Sequence, residues 1–187
     1  MNLLVLGPQG SGKGTQATRI SEAHDIPHVS TGDMFRAAIA AGTPLGNEVA
    51  PILASGELVP DELTIALIRD RLGEEDARRG FVLDGFPRNI QQAEALDEML
   101  AEIDRGIDTV LFFDVSDELA AERMRGRAAA EGRTDDTPEV VARRLAIYHE
   151  QTEPVVERYR AAGVLVPLRA DLSVDEVSDQ ILGALRR

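Results

Sequence analysis

Short apolar runs separated by longer stretches of helical periodicity set the rhythm of this chain. Met1 to Leu6 is an apolar run that ends at Gly7, and similar runs recur at Phe81-Val82-Leu83, Val110-Leu111-Phe112-Phe113 and Val164-Leu165-Val166. A shorter one, Pro27-His28-Val29, is a candidate fifth. Unbroken runs rather than alternating ones indicate strands buried on both faces, as in a parallel sheet. Between them, Leu96, Met99, Leu100 and Ile103 share one helical face. Thr137-Pro138 reads as an N-cap followed by proline at the first helical position, with Val141, Leu145 and Tyr148 on the stripe that follows. Pro154 is expected to kink or end that helix. Ser173 to Glu176 has the form of a capping box, and Val177, Ile181 and Leu185 carry the last helix onward. Strands alternating with helices predict an α/β fold around a parallel sheet.

Two stretches break this rhythm. Residues 30–59 read as short helical pieces interrupted by Gly42, Pro44, Gly46, Pro51 and Gly56, and residues 126–137 read as a polar loop. Both are candidate insertions over a cleft.

Composition narrows the class. A chain of 187 residues, 43% apolar and 28% charged, is globular and long enough for its own core. The absence of cysteine excludes a disulfide framework, a thiolate zinc site and a cysteine nucleophile. No apolar run is long enough to cross a bilayer and no leader precedes the first strand, so the expected compartment is the cytoplasm. The net charge of −13 argues against nucleic acid or an anionic membrane as partner. Residues 119–144 nonetheless sum to +1 through six arginines, so one segment is suited to an anion. The single lysine of the chain is Lys13.

Lys13 falls in Gly7-Pro8-Gln9-Gly10-Ser11-Gly12-Lys13-Gly14-Thr15, directly after the first apolar run and before a helical stretch. Gly-x4-Gly-Lys between strand and helix is a phosphate loop. Glycines let successive N–H groups turn inward on a polyphosphate, and the helix N-terminus adds positive potential. Gly10, Ser11, Gly12, Lys13, Gly14 and Thr15 are therefore candidate residues for binding a nucleotide polyphosphate, with the Thr15 hydroxyl placed near a magnesium ion. Gly14 stands where Ser or Thr usually follows the lysine.

The phosphate loop, Ser-Thr-Gly-Asp-Met-Phe-Arg at 30–36, Asp-Gly-Phe-Pro-Arg at 84–88, Gln92, Asp-Val-Ser-Asp-Glu-Leu at 114–119, and Arg123, Arg127, Arg133 and Arg144 resemble, together and over nearly the whole length, the nucleoside monophosphate kinase family, and within it the adenylate kinases. The resemblance implies a P-loop α/β fold with a five-stranded parallel sheet flanked by helices. It implies a core of 1–29, 60–121 and 138–187, a monophosphate-binding flap at 30–59 and a lid at 122–137. Only five residues separate Arg127 from Arg133, which resembles the short-lid form without zinc. The implied reaction moves the γ-phosphoryl of ATP onto AMP to give two ADP, with Mg2+ accompanying ATP, in a monomer.

Residue roles follow from the same resemblance. Arg36 and Arg88 hold the AMP phosphate. Arg123 covers the ATP adenine and approaches its phosphates, and Arg127 contacts those phosphates. Arg133 and Arg144 bridge toward the transferring phosphoryl and AMP. Lys13, Arg88, Arg123, Arg133 and Arg144 form the catalytic set. Asp84 orders the magnesium water shell, its alternative being a helix-cap or turn residue, and Asp33 either joins the same network or stands outside it. Thr31, Gln92 and Glu57-Leu58-Val59 surround the AMP base beside Gly85, Phe86 and Pro87, and Leu172 borders the ATP adenine. Arg169-Ala170 stands where the family commonly has Asp-Gly before that point. Thr31 and Gln92 favour AMP; relatives acting on UMP and CMP tend to carry Ala and Asn, so a pyrimidine monophosphate kinase is the alternative. A nucleotide sensor without catalysis is a third reading.

The chemistry fits these residue types. The acceptor phosphate oxygen is already anionic near neutral pH, so positioning and charge stabilisation outweigh a general base. Arginine forks grip phosphate in a bidentate way. Water must be excluded, so flap and lid are expected to close before transfer, about candidate hinges Gly32, Gly56, Gly126 and Gly132. His24, His28 and His149 lack metal-ligand spacing.

Overall fold

The computed structural model describes residues 1–131 and 137–186, without the side chains of 128–131. Five strands, β1 (Asn2–Leu6), β2 (His28–Ser30), β3 (Phe81–Asp84), β4 (Thr109–Asp114) and β5 (Leu165–Arg169), form one sheet in the order β2-β3-β1-β4-β5. All pairings are parallel, with Leu4 between Leu83 and Val110. The helices are α1 (Lys13–His24), α2 (Thr31–Ala40), α3 (Pro44–Ser55), α4 (Asp61–Leu72), α5 (Ile90–Ala101), α6 (Asp117–Glu131), α7 (Pro138–Ile147), α8 (Glu153–Ala161) and α9 (Val174–Leu185).

The apolar runs are continuous because the sheet is covered on both faces. Leu4 and Leu6 of β1 face Ile68 of α4, Leu96 and Leu100 of α5, and Val155 and Tyr159 of α8. Leu3 and Val5 point the other way, to Ala17 and Ile20 of α1 and to Val177 and Ile181 of α9. The connection leaving β1 thus lies on one face and the connection leaving neighbouring β3 on the other. Such a reversal opens a crevice at the carboxyl ends of the two strands. The phosphate loop and Asp84 stand on its two lips.

A separate apolar cluster of Phe35, Val49 and Val59 holds α2 and α3 together and rests on Leu63 and Leu67 of α4. Gly46 lets the two helices meet, since a Cβ there would lie 2.1 Å from the Ala38 carbonyl oxygen.

Local expectations are corrected at several points. Gly46 and Pro51 do not break a helix within 30–59; both lie inside α3. Residues 126–131, read as loop, are the last turns of α6, where the strong helix former alanine at 128–130 offsets Gly126. Ile103 does not join the face of Leu96 and Leu100, because α5 stops at Ala101, Asp104 turns to φ 54° and Ile103 stays 51% exposed. The helix that begins at Pro138 is interrupted just before Pro154, as a kink or an end there would require, but the break falls at Tyr148 to Thr152 and the chain stays helical beyond it. A π turn over Tyr148–Thr152 re-registers the hydrogen bonds, and Pro154 falls in the first turn of α8, where a missing N–H costs little. The caps stand as read. Thr137 Oγ1 accepts from the Val140 N–H at 3.4 Å, and Ser173 and Glu176 form the reciprocal capping box.

Among the described residues, no helix is long and apolar enough to cross a membrane, and no group of three His, Cys, Asp or Glu is arranged to hold a metal.

Candidate active site

The loop from Gly7 to Gly12 joins β1 to α1, and Gly12 caps the helix at φ 91°. Gly10, at φ 83°, lies against α6 so closely that a Cβ would sit 2.3 Å from the Ala120 carbonyl oxygen. Only glycine meets both conditions. Lys13 is the first residue of α1, and its ammonium folds back over the loop, donating to the Pro8 carbonyl at 2.8 Å. Burial pulls its pKa down from 10.5 to about 8; Asp84 opposes the shift, and Arg88 and Arg127 add to it. A cation held this reluctantly gains more from an arriving polyphosphate than a solvated one would.

Asp84 ends β3 across the crevice. Burial alone would raise its pKa, but His28, Lys13 and Arg88 outweigh burial and hold the carboxyl below its ordinary value. His28 Nε2 lies 3.5 Å from Asp84 Oδ2, at ion-pair distance without hydrogen-bond alignment. The start of α1 lies close to this carboxylate, since a Cβ built on Gly14 would be in ordinary van der Waals contact with Asp84 Oδ2, at 3.6 Å.

Arginines from separate elements converge on the same space. Arg88 Nε donates to the Gly85 carbonyl at 2.8 Å. Burial lowers the Arg88 pKa, Asp84 counters, and Arg144 and Arg36 press the same way as burial. Arg123 of α6 donates to the Ala170 carbonyl at 2.7 Å, and Arg144 of α7 to the Leu53 carbonyl at 3.3 Å. Arg36 of α2 pairs with Asp33 at 2.5 Å. Asp33 therefore engages Arg36, and this contact together with the Ser30 hydroxyl keeps its pKa low against the cost of burial. A carbonyl acceptor thus fixes one of the five guanidinium donors in Arg88 and in Arg123, which sets the direction of each fork.

One cleft of about 830 Å³ is lined by Gly10 to Thr15, Arg36, Glu57, Leu58, Asp84 to Arg88, Arg123, Arg127, Arg144 and Leu172. Thr31, Val59 and Gln92 instead line an adjoining slot of about 30 Å³ that shares Glu57, Leu58, Gly85 and Arg88 with the cleft. Thr31 Oγ1 donates to the Gly85 carbonyl at 3.0 Å. Every candidate site residue thus borders one of two adjoining spaces, except Arg133, which lies outside the described residues, as do the candidate hinge Gly132 and the acids that follow Arg133, Asp135 and Asp136, which could pair with arginines as a latch or stay solvated.

Several neighbours of the site were not legible as such. Asp61 binds Gln92, His28 stands beside Asp84, and Arg143 pairs with Glu57. Tyr148, placed by the sequence on the apolar stripe after Pro138, is buried but also borders the cleft. Of the candidate hinges, Gly56 is the left-handed cap of α3, whereas Gly32 and Gly126 lie inside helices.

A loop built to wrap phosphate, an ionised carboxylate facing it at a sheet reversal and arginines drawn from α2, α6 and α7 define a P-loop phosphotransferase of the α/β class. The family model described as "Adenylate kinase" matches residues 5–164. The chain is 50% identical over 187 residues, all of both proteins, to "Adenylate kinase" of Xanthomonas euvesicatoria pv. vesicatoria (strain 85-10). It is 48% identical over 186 residues, again the whole of both, to "Adenylate kinase" of Stenotrophomonas maltophilia (strain K279a). The chain belongs to the adenylate kinase family.

Proposed function

We propose that this chain transfers the γ-phosphoryl of ATP reversibly to AMP, giving two ADP, in the cleft between the phosphate loop and α2. The observation that carries this reading is that one cleft is lined both by the phosphate loop with Lys13 and by Arg36 and Arg88. Lys13 and the loop amides suit the triphosphate, and Arg36 and Arg88 suit a second phosphate group.

The donor triphosphate lies along Gly10 to Thr15 with Lys13 on its outer phosphates, and its adenine lies toward Arg123 and Leu172. The acceptor phosphate displaces Asp33 from Arg36 and adds itself to Arg88. Its base turns one edge to the slot of Thr31, Val59 and Gln92, with Glu57 and Leu58 beside it. Arg127 and Arg144 close on the phosphates from α6 and α7, joined by Arg133. The acceptor oxygen carries its own negative charge, so these cations act by holding two anions in line and neutralising charge as it moves.

Asp84 and Thr15 would hold magnesium, Asp84 through water. An ionised, recessed carboxylate beside a phosphate loop suits a cation that keeps most of its waters and binds phosphate. When bound, Mg2+ supplies charge neutralisation on the phosphates. We assign the flap to 30–59, on the grounds of its own apolar cluster, and the lid to 122–137.

Initial rates with ATP and magnesium against AMP, CMP, UMP and GMP test the proposal. A preference for AMP by orders of magnitude is expected. A preference for CMP or UMP would replace AMP by a pyrimidine acceptor, and ATP binding without transfer to any of them would leave a sensor.

A further inference from the structure

The side-chain amide of Gln92 is held at both ends. Its Oε1 accepts from the Arg88 backbone N–H at 2.8 Å, and its Nε2 donates to Asp61 Oδ1 at 2.7 Å. Asp61 opens α4 and also receives the Asn89 amide, at 2.9 and 3.1 Å on its two oxygens. Asn89 in turn caps α5, its Oδ1 accepting from the Gln92 N–H at 2.9 Å. Gln92 is 2% exposed, and it borders the slot.

A backbone N–H only donates, and a carboxylate only accepts. Of the two amide orientations related by a flip, one satisfies both anchors. The other sets NH2 against the Arg88 N–H and oxygen against the Asp61 carboxylate, two repulsive contacts in a buried place. The anchored amide keeps one N–H and one lone pair for a ligand.

We infer that Asp61 is a specificity-determining positioning residue: by fixing the polarity of the Gln92 amide, it makes the slot accept a 6-aminopurine monophosphate and reject a 6-oxopurine one. Adenine offers an amino donor at C6 beside an acceptor at N1. Hypoxanthine offers an acceptor at C6 beside a donor at N1, in the same outline. For a base held in one pose by its phosphate at Arg88, the two edges are therefore inverses. The pose that pairs the adenine amino group with Oε1 and its N1 with Nε2 sets like against like at both atoms of hypoxanthine. Only a flipped Gln92 would match the 6-oxo edge, and Asp61 opposes the flip. Asp61 touches neither nucleotide; it acts through Gln92.

The inference rests on the reading of the slot as the acceptor-base pocket, and the test separates the two. kcat/KM is measured for AMP and IMP at saturating ATP in the wild type, Asp61→Asn, Asp61→Ala and Gln92→Ala, with the KM for ATP and the thermal midpoint alongside. Asparagine keeps the shape of Asp61 but can present either a donor or an acceptor, so it permits the flip. In both Asp61 variants the AMP-to-IMP ratio is expected to fall about tenfold or more, with IMP use rising in absolute terms and the KM for ATP unmoved. A merely structural role would lower both acceptors by one factor and leave the ratio intact, which overturns the proposal. A ratio that collapses in Gln92→Ala but not in either Asp61 variant overturns it too while sparing the pocket reading. A ratio unchanged in all three variants overturns both.

Discussion

Glu57 and Arg143 form an ion pair that ties the turn after α3 to α7. The contact is reinforced by packing, since a Cβ on neighbouring Gly56 would lie 3.0 Å from Val140 Cγ1, and by Arg144, which donates to the Leu53 carbonyl. The segment proposed to hold the AMP base is thereby joined to the helix that carries Arg144. Both partners are more than a third exposed, so the pair contributes less than about 1 kcal/mol. Arg143→Glu should raise the KM for AMP two- to fivefold, in keeping with that size, with little change for ATP. Combining it with Glu57→Arg should restore most of the loss. Steady-state kinetics over the double-mutant cycle checks this; a zero coupling energy would leave the pair without a role in acceptor binding.

Lys13 ties ATP affinity to pH. With a ligand-free pKa of about 8, pulled down by burial, its side chain loses its charge as pH rises through that value. Bound polyphosphate favours the charged form, so ATP must then bring a proton with it. Calorimetric Kd values for ATP should weaken above pH 8 by up to about tenfold per pH unit, and the break should vanish in Lys13→Arg. Lys13→Ala should cut transfer by about a hundredfold or more and leave the fold intact, because the ammonium faces the cleft.

Arg88→Ala should damage AMP use far more than ATP binding. The side chain lines the cleft from the far lip, anchored by the Gly85 carbonyl. Removing one preorganised cation costs about two orders of magnitude in kcat/KM for AMP. ATP affinity measured without AMP should change little; equal losses on both would contradict the placement.

His149 contributes a pH-dependent strut. Nδ1 lies 2.6 Å from Glu153 Oε1 at the start of α8, and Nε2 lies 2.8 Å from Asp117 Oδ2 at the start of α6. These two acceptors, Glu153 first, raise its pKa above 6.5. A raised pKa in the folded chain means that the stabilisation is complete below about 6.5 and fades as pH rises through the folded value. The imidazole is 43% exposed, so solvent screening keeps the effect under about 1 kcal/mol. His149→Asn should lower Tm by a few degrees near pH 5.5, and the gap to wild type should close by pH 8.5.

What could be read directly was whatever depends on residues within a turn or two of one another. The phosphate loop is such a case. Its glycines, Lys13 and the following helix are contiguous, and the positive φ at Gly10 and Gly12 is a property of that short frame. The capping box at Ser173 is another. The failures were also local in origin. Nothing within a few residues of Pro154 announces a π turn, and the helical spacing of Ile103 says nothing about the chain leaving the helix two residues earlier.

By itself, the sequence determined the alternation of buried strands and amphipathic helices, the phosphate loop and the identity of nearly every cation in the cleft. The tertiary structure decided which of these groups face one another. Asp61 and Gln92 are 31 residues apart, and Asp84 reaches Lys13 only because β3 lies beside β1. Strand order sets those distances, and strand order follows from how two apolar faces are covered at once by helices from distant parts of the chain. That balance is summed over the whole core, and no local run of residues encodes it.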